Sequence, residues 1–171
     1  MNDSSSQLEQ LFLAAYEEHA DAVYRFCLAK VSNREQAEDL SQEAFTRTWD
    51  YARKGQGTID NWKAFVFRTA NNLIIDYYRK KKSSSLDEMS ETVGFVPIDH
   101  HTLPQDKHAE YVRAREALQT LDEAYREPVY LRIVEDLSPR DIAQILNISE
   151  NVASVRINRG IKKLQQLLHT V

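Results

Sequence analysis

Residues 137–163 read LSPRDIAQILNISENVASVRINRGIKK, and the fold turns on how this stretch is parsed. Ser138 suits a helix N-cap, Pro139 the first helical position, and Asp141 stands where a capping-box acid belongs. Ile142, Ala143, Ile145 and Leu146 then give a narrow apolar face. Asn147-Ile148-Ser149 interrupts the pattern. Asn147 can take left-handed backbone geometry, and Ser149 can cap a second helix. In that helix Val152, Val155 and Ala153 are expected inward, while Arg156, Arg159, Lys162 and Lys163 recur at helical spacing. Two short helices about a tight turn, the second one basic, form a helix-turn-helix suited to the DNA major groove. A helix hairpin with a solvated basic face has the same local signature, so the rest of the chain decides.

That remainder is also helical in pattern. Four glycines and four prolines in 171 residues are few, and no long run alternates apolar with polar. The expected fold is all-α, and the length suits one medium domain or two small ones. Helices are expected at 8–31, 34–51, 61–80, 111–120 and 122–135, ahead of the helix-turn-helix. Apolar positions of the first include Leu11, Ala15, Val23 and Phe26. Ser32-Asn33 offers a stop for the first helix and a cap for the second. The loop RKGQGTID at 53–60 precedes the third, with Thr58 or Asp60 as its cap. Pro128 is expected near a helix start or at a kink. Residues 1–6 read as a disordered lead-in. Serines, acids, Gly94, Pro97 and Pro104 mark a flexible linker. The layout is a helical domain at 8–82, a linker at 83–110 and a helical domain at 111–169.

The net charge of −4 does not by itself suggest nucleic acid, but its distribution is informative. Residues 62–82 carry six Lys/Arg against Asp76 alone, whereas residues 1–61 and 83–111 each carry a net −5. Charges from Arg156 to Lys163 are all positive. Two separated basic patches suggest two DNA contacts, and the acidic remainder suggests a basic protein partner.

Two helices carry the candidate contacts. In the second, Leu40, Ala44, Phe45, Thr48 and Trp49 are assigned to the core, while Asp39, Glu43, Thr46 and Asp50 form one exposed stripe beside Glu38 and Gln42. That stripe is either a solvated acidic face or a docking surface for a basic helix. In the third, Trp62, Val66, Thr69, Leu73 and Tyr77 are assigned to the core. Ala64, Arg68, Asn71 or Asn72, Ile75 and Arg79 point outward, beside Tyr78 and the run Arg79 to Lys82. Cations contact phosphate, amides contact base edges, and aromatics stack on unpaired bases.

DLSQEAF at 39–45, WKAFVFRTANNLIIDYYR at 62–79 and LDEAYREPVYLRIVEDLSPRDIAQILNIS at 121–149 together resemble bacterial RNA polymerase sigma factors. The short two-domain layout is similar to the extracytoplasmic-function (ECF) group of the sigma-70 family, over roughly residues 10–80 and 111–168. The resemblance implies that the first domain is sigma region 2, a unit of three or four helices. Asp39, Leu40, Gln42 and Glu43 match the motif that docks on the clamp helices of the largest polymerase subunit. The loop 53–60 and the start of the third helix match the part that captures a flipped base of the −10 element. Arg68, Asn72, Asp76 and Arg79 match the promoter-facing helix, and Lys63, Asn71 and Lys80 join them as expected −10 contacts. The second domain matches region 4, which grips the flap of the second-largest subunit and reads the −35 element. Ser149, Asn151, Ser154, Val155, Arg156 and Arg159 occupy recognition-helix positions, and Lys162 and Lys163 extend them. The sequence departs from the pattern at Ser154, often basic, at Val155, often serine, and at Gly160 and Ile161, where Ala and Arg are usual. Asn147 replaces a common glycine.

The implied function is to bind core RNA polymerase, direct it to promoters through both elements and promote melting. The implied partners are core polymerase, promoter DNA and an anti-sigma factor that clamps the two domains. Opening costs a few kcal/mol per unstacked step, which base contacts and the polymerase must offset. Neither domain alone is basic enough for tight binding, so recognition should need both elements. A polymerase-independent helix-turn-helix regulator is the alternative. It would ordinarily dimerise, and no dimer helix is evident. An enzyme is not expected: the five histidines are scattered, and there is no Gly-rich phosphate loop or catalytic triad. No metal or cofactor is expected, since His100-His101 with Asp99 is too sparse a ligand set. Cys27, the lone cysteine, reads as a buried hydrophobe. With no bilayer-length apolar stretch and no secretory signal, no membrane insertion is expected. The expected location is cytoplasmic, at the nucleoid when in holoenzyme.

Overall fold

A computed structural model describes residues 2–84, 95, 112, 113 and 115–169, with side chains for 5–83, 95, 112, 113 and 115–167. The linker residues from 85 to 94 and from 96 to 110, with Asp99, His100 and His101, lie outside the described residues. Regular structure among the described residues is helical throughout, and none of these helices is long and apolar enough to cross a membrane. The chain divides into two units, Met1–Glu91 and Thr92–Val171.

In the first unit α1 (Asn2–Val31), α2 (Arg34–Arg53) and α3 (Trp62–Ser84) each pack on the other two. The expected disordered lead-in is corrected over residues 2–6, because α1 begins at Asn2. Once a helix is nucleated, each further residue adds a backbone hydrogen bond, so polar residues can extend it. Ser32 breaks α1 with φ 52°, and the side chain of Asn33 caps α2 by accepting from the Gln36 N–H at 3.0 Å. The cap of α3 is Asn61, which accepts from the Ala64 N–H at 3.0 Å, in place of the expected Thr58 or Asp60.

Val23, Phe26, Ala37, Ala44, Phe45, Val66, Phe67, Ala70 and Ile74 form this unit's core. Three expectations fail here, one of them on α2, where Leu40 and Trp49 are half-buried instead of in the core. Leu11 is 49% exposed. On α3, Val66 and Leu73 are buried as expected, but Trp62, Thr69 and Tyr77 are half-buried, and Ala64, Phe67, Ala70, Asn71 and Ile74 lie inside. α3 meets two neighbours, so its buried face is wider than one stripe. Phe12 packs 6.4 Å from Phe45, 5.0 Å from Trp49 and 6.2 Å from Trp62, joining all three helices at one end. Elsewhere the buried Lys30 ammonium donates to the Asn71 side chain at 2.6 Å, and the Tyr78 hydroxyl donates to the Lys30 carbonyl at 2.7 Å. Cys27 is fully buried, and desolvation pushes its thiol up to about 12.

In the second unit, helical residues 115–119 lead to α4 (Glu123–Ile133), α5 (Pro139–Leu146) and α6 (Glu150–His169). Pro128 lies buried inside α4 instead of at its start. Phe95 packs 4.9 Å from Tyr130, and its carbonyl accepts from Arg126 at 3.1 Å. The helix-turn-helix forms as its caps dictate. Ser138 accepts from the Asp141 N–H at 3.1 Å, Asn147 closes α5 at φ 54° and ψ 44°, and Ser149 caps α6 by accepting from Val152 N–H at 3.2 Å. The inward face of α6 is corrected. Ala153, Ile157, Gly160 and Leu164 are buried, whereas Val152 and Val155 are each 37% exposed. Gly160 allows the close approach to α4: a β-carbon there would sit 2.3 Å from Val129 Cγ2.

Candidate nucleic-acid interface

Three surfaces collect the candidate residues. On α2, Asp39, Gln42 and Glu43 are exposed and Leu40 is half-buried. Glu43 accepts from Arg47 at 2.7 Å, one turn along, while Asp39 has no ion-pair partner among the described residues. Buried Ala37, Ser41, Ala44 and Thr48 hold the opposite face of the helix, so the acidic stripe points to solvent.

Beside the loop 53–60 lies an open concavity of about 320 Å³, lined by Arg47, Asp50, Tyr51, Lys54, Gln56, Phe65 and Thr69. The rings of Tyr51 and Phe65 are 4.7 Å apart, and the Arg68 guanidinium sits 4.9 Å from the Phe65 centroid. Gly55 turns the loop at φ 62°. Gly57 passes so near Tyr51 that a β-carbon would lie 2.4 Å from its hydroxyl. The hollow therefore offers aromatic surface, a carboxylate, an amide and cations. Sequence reasoning placed the loop but missed Tyr51, Phe65 and Arg47, and it set Asp50 on the exposed α2 stripe, whereas it is half-buried and lines the hollow. The available signal was an aromatic on each side of a glycine-bearing loop.

Along α3, Asn72, Arg79 and Lys80 are exposed, Lys63, Arg68 and Asp76 are half-buried, and Ile75 is 43% exposed among them. Asp76 pairs with Arg79 at 2.8 Å, which holds that guanidinium along the helix. Asn71 is corrected. It is 2% exposed and turned inward to Lys30, about 100° round the helix from its exposed neighbour Asn72.

On α6, Asn151, Val155, Asn158, Arg159 and Lys162 are exposed along one side, with Ser154 and Arg156 half-buried beside them. Arg156, Arg159 and Lys162 have no ion-pair partner among the described residues. Ser149 serves as the cap. Lys163 differs from the other cations of α6. It pairs with Asp122, which raises its pKa, and lies 4.9 Å from the Tyr125 ring, against the start of α4. Asn158 was missed, although it stands three residues after Val155 and four before Lys162. Among the described residues no three His, Cys, Asp or Glu side chains converge as a metal site.

Residues 15–84 match the Sigma-70 region 2 family model, and residues 111–164 match the Sigma-70 region 4 model. The chain is 30% identical over 165 residues to the ECF RNA polymerase sigma factor SigW of Bacillus subtilis, covering 88% of this chain and 84% of SigW. The chain belongs to the ECF sigma factors. A second relative, ECF sigma factor SigE of Mycolicibacterium smegmatis, is 30% identical over 154 residues, and this sigma factor spans 59% of its length. The fold resembles that of the sigma factor RpoE in its co-crystal with the anti-sigma factor NepR from Bartonella quintana. The TM-score is 0.62 at 23% identity, with 95% and 97% of the two chains covered. CnrH, solved with the cytosolic domain of CnrY, gives a TM-score of 0.57 at 21% identity over 95% and 90% of the chains. In this ECF sigma factor the region 2 match contains the acidic stripe, the concavity and the α3 row. The region 4 match contains the helix-turn-helix.

Proposed function

We propose that this ECF sigma factor binds bacterial core RNA polymerase, directs it to promoters with separate −10 and −35 elements, and promotes opening of the DNA. The presence of region 2 and region 4 in order in one chain carries this reading. Asp39, Leu40, Gln42 and Glu43 form the docking stripe for the polymerase. Its charge suits a basic helix, and its exposure leaves it free to dock. The concavity beside the Tyr51–Phe65 ring pair takes one base flipped from the −10 element. Aromatic stacking there compensates for the stacking lost in the duplex. Lys63, Arg68, Asn72, Arg79 and Lys80 hold the separated strand, and Asp76 positions Arg79. Asn71 supports this surface from within, through Lys30.

The second unit sets α6 in the major groove at the −35 element. Asn151, Ser154, Val155 and Arg156 lie near its N-terminal end, where recognition helices meet base edges. Arg159 and Lys162 contact phosphate, Ser149 caps the helix, and Lys163 steadies it against α4. RNA synthesis belongs to the polymerase. The protein acts at the nucleoid in holoenzyme, and an anti-sigma protein is its proposed inhibitor; RpoE, of similar fold, was solved in complex with the anti-sigma factor NepR.

The test is transcription of fragmented source-genome DNA by bacterial core polymerase with and without this chain. New starts that share a two-part upstream motif are expected. Duplex binding to an operator without polymerase, and no binding to core, would overturn the reading in favour of a simple regulator.

A further inference from the structure

Val155 has no structural reason to be valine. It is 37% exposed on α6, while the helix packs through Ala153, Ile157, Gly160 and Leu164. It lies outside that packed face, and a β-branched residue there still gives up side-chain freedom in the helix. Its surroundings are polar. Asn151 stands one turn before it, and Asn158 and Arg159 stand one turn after it, all exposed. An apolar side chain of fixed rotamer thus sits in the middle of the groove-facing row, in the first two turns of the helix.

Base edges in the major groove differ in what they offer such a side chain. Thymine presents a methyl group, whereas cytosine presents an amino donor and guanine two acceptors. Valine can satisfy no hydrogen bond, so a G·C pair beneath it loses water from a polar edge without replacement. Serine at the same place would accept either kind of pair. We propose that Val155 is a specificity-determining residue of the −35 reader, selecting an A·T pair by apolar contact with the thymine methyl. The flanking Asn151 has the amide chemistry to read an adjacent adenine. This inference rests on the proposed placement of α6 at the −35 element.

The experiment uses holoenzyme and a promoter obtained from the transcription test. Each thymine of the −35 element, on either strand, is replaced singly by uracil, which removes only the methyl group. Wild-type holoenzyme should bind one such promoter about fourfold more weakly, the loss expected for one buried methyl. Val155→Ser should bind the thymine and uracil versions of that position equally, and Val155→Ala, whose shorter side chain reaches less far toward the methyl, should discriminate less than wild type. Val152→Ala, equally exposed one turn earlier, should keep the wild-type discrimination. A −35 element without thymine, uracil replacements without effect, or undiminished discrimination in Val155→Ala would each overturn the proposal. Promoter-specific starts that persist in those cases leave the sigma-factor reading standing. Absence of any specific start removes both.

Discussion

Gly160→Ala should destabilise the second unit, although alanine is the better helix former. Intrinsic propensity favours the substitution by about 1 kcal/mol inside a helix. The packing opposes it. The new β-carbon would lie 2.3 Å from Val129 Cγ2 and 3.2 Å from Tyr125 Cβ. Val129 is fully buried in α4, and a valine in a helix has essentially one rotamer, so it cannot swing aside. Relief must come from moving α6 away from α4, and overpacking of this kind costs about 1–3 kcal/mol. The overlap is shorter than any tolerated contact, so the upper half of that range applies. The net loss is then about 1–2 kcal/mol, or several degrees in Tm at about 4–8 °C per kcal/mol for a domain of this size. Both tryptophans, Trp49 and Trp62, lie in the first unit. Tryptophan fluorescence therefore follows that unit, while far-UV circular dichroism follows both. The expected result is an earlier dichroism transition with an unmoved fluorescence transition. Adding Val129→Ala removes the obstructing methyl, so the double variant should be more stable than the sum of the single effects. A Gly160→Ala protein stabilised by about 1 kcal/mol, the gain from propensity alone, would refute the close approach of the two helices.

Three further outcomes follow from the same geometry. Asn71→Ala should lower the stability of the first unit by about 1.5 kcal/mol or more, the scale of a hydrogen bond to a charged group. Asn72→Ala should leave the fluorescence transition in place and reduce promoter-dependent transcription. Equal stability of the two variants would undo the assignment. Asn147→Ala should cost about 1 kcal/mol, because a β-carbon without a local polar group is strained at φ 54°, whereas Asn147→Gly should hold or raise stability. Identical unfolding curves for the two would contradict it. For Cys27, both folded and unfolded chains keep the thiol proton below pH 9.0, but up to about 12 the native state alone keeps it. Stability should therefore fall as pH rises across that window, and Cys27→Ala should flatten the fall in fluorescence-monitored unfolding. An unchanged alkaline slope would show that the thiol is not buried.

Except at α3, where Asn61 caps instead of Thr58 or Asp60, the caps were legible because they are local. Ser138, Pro139, Asn147 and Ser149 specify the two ends of α5 and the start of α6 through hydrogen bonds within a few residues, and each forms as read. The same holds for Asn33. Helix faces are different, because what they bury depends on neighbours distant in sequence. Val152 and Val155 are as apolar as Ile157, yet α4 and α5 meet the side of α6 bearing Ala153, Ile157 and Gly160. Within α6 the spacing of Ala153, Ile157 and Leu164 opposite Asn158, Arg159 and Lys162 marks the packed side, while the meaning of Gly160 appears only once Val129 is opposite it.

Asn71 and Asn72 make the same point at the candidate site. They are identical and adjacent, so composition and spacing treat them as interchangeable. Successive helical residues point about 100° apart, and the packing of α3 on α1 sends one toward the Lys30 ammonium and the other to solvent. The buried one then acts structurally, giving the Lys30 ammonium an uncharged acceptor without adding a carboxylate beneath a surface proposed to bind phosphate. An aspartate at position 71 could hold Lys30 more strongly, but its charge would lie within one helical turn of Arg68 and Asn72. The neutral amide satisfies the lysine and leaves the positive field above it undiminished, which links a core hydrogen bond to the proposed binding of promoter DNA.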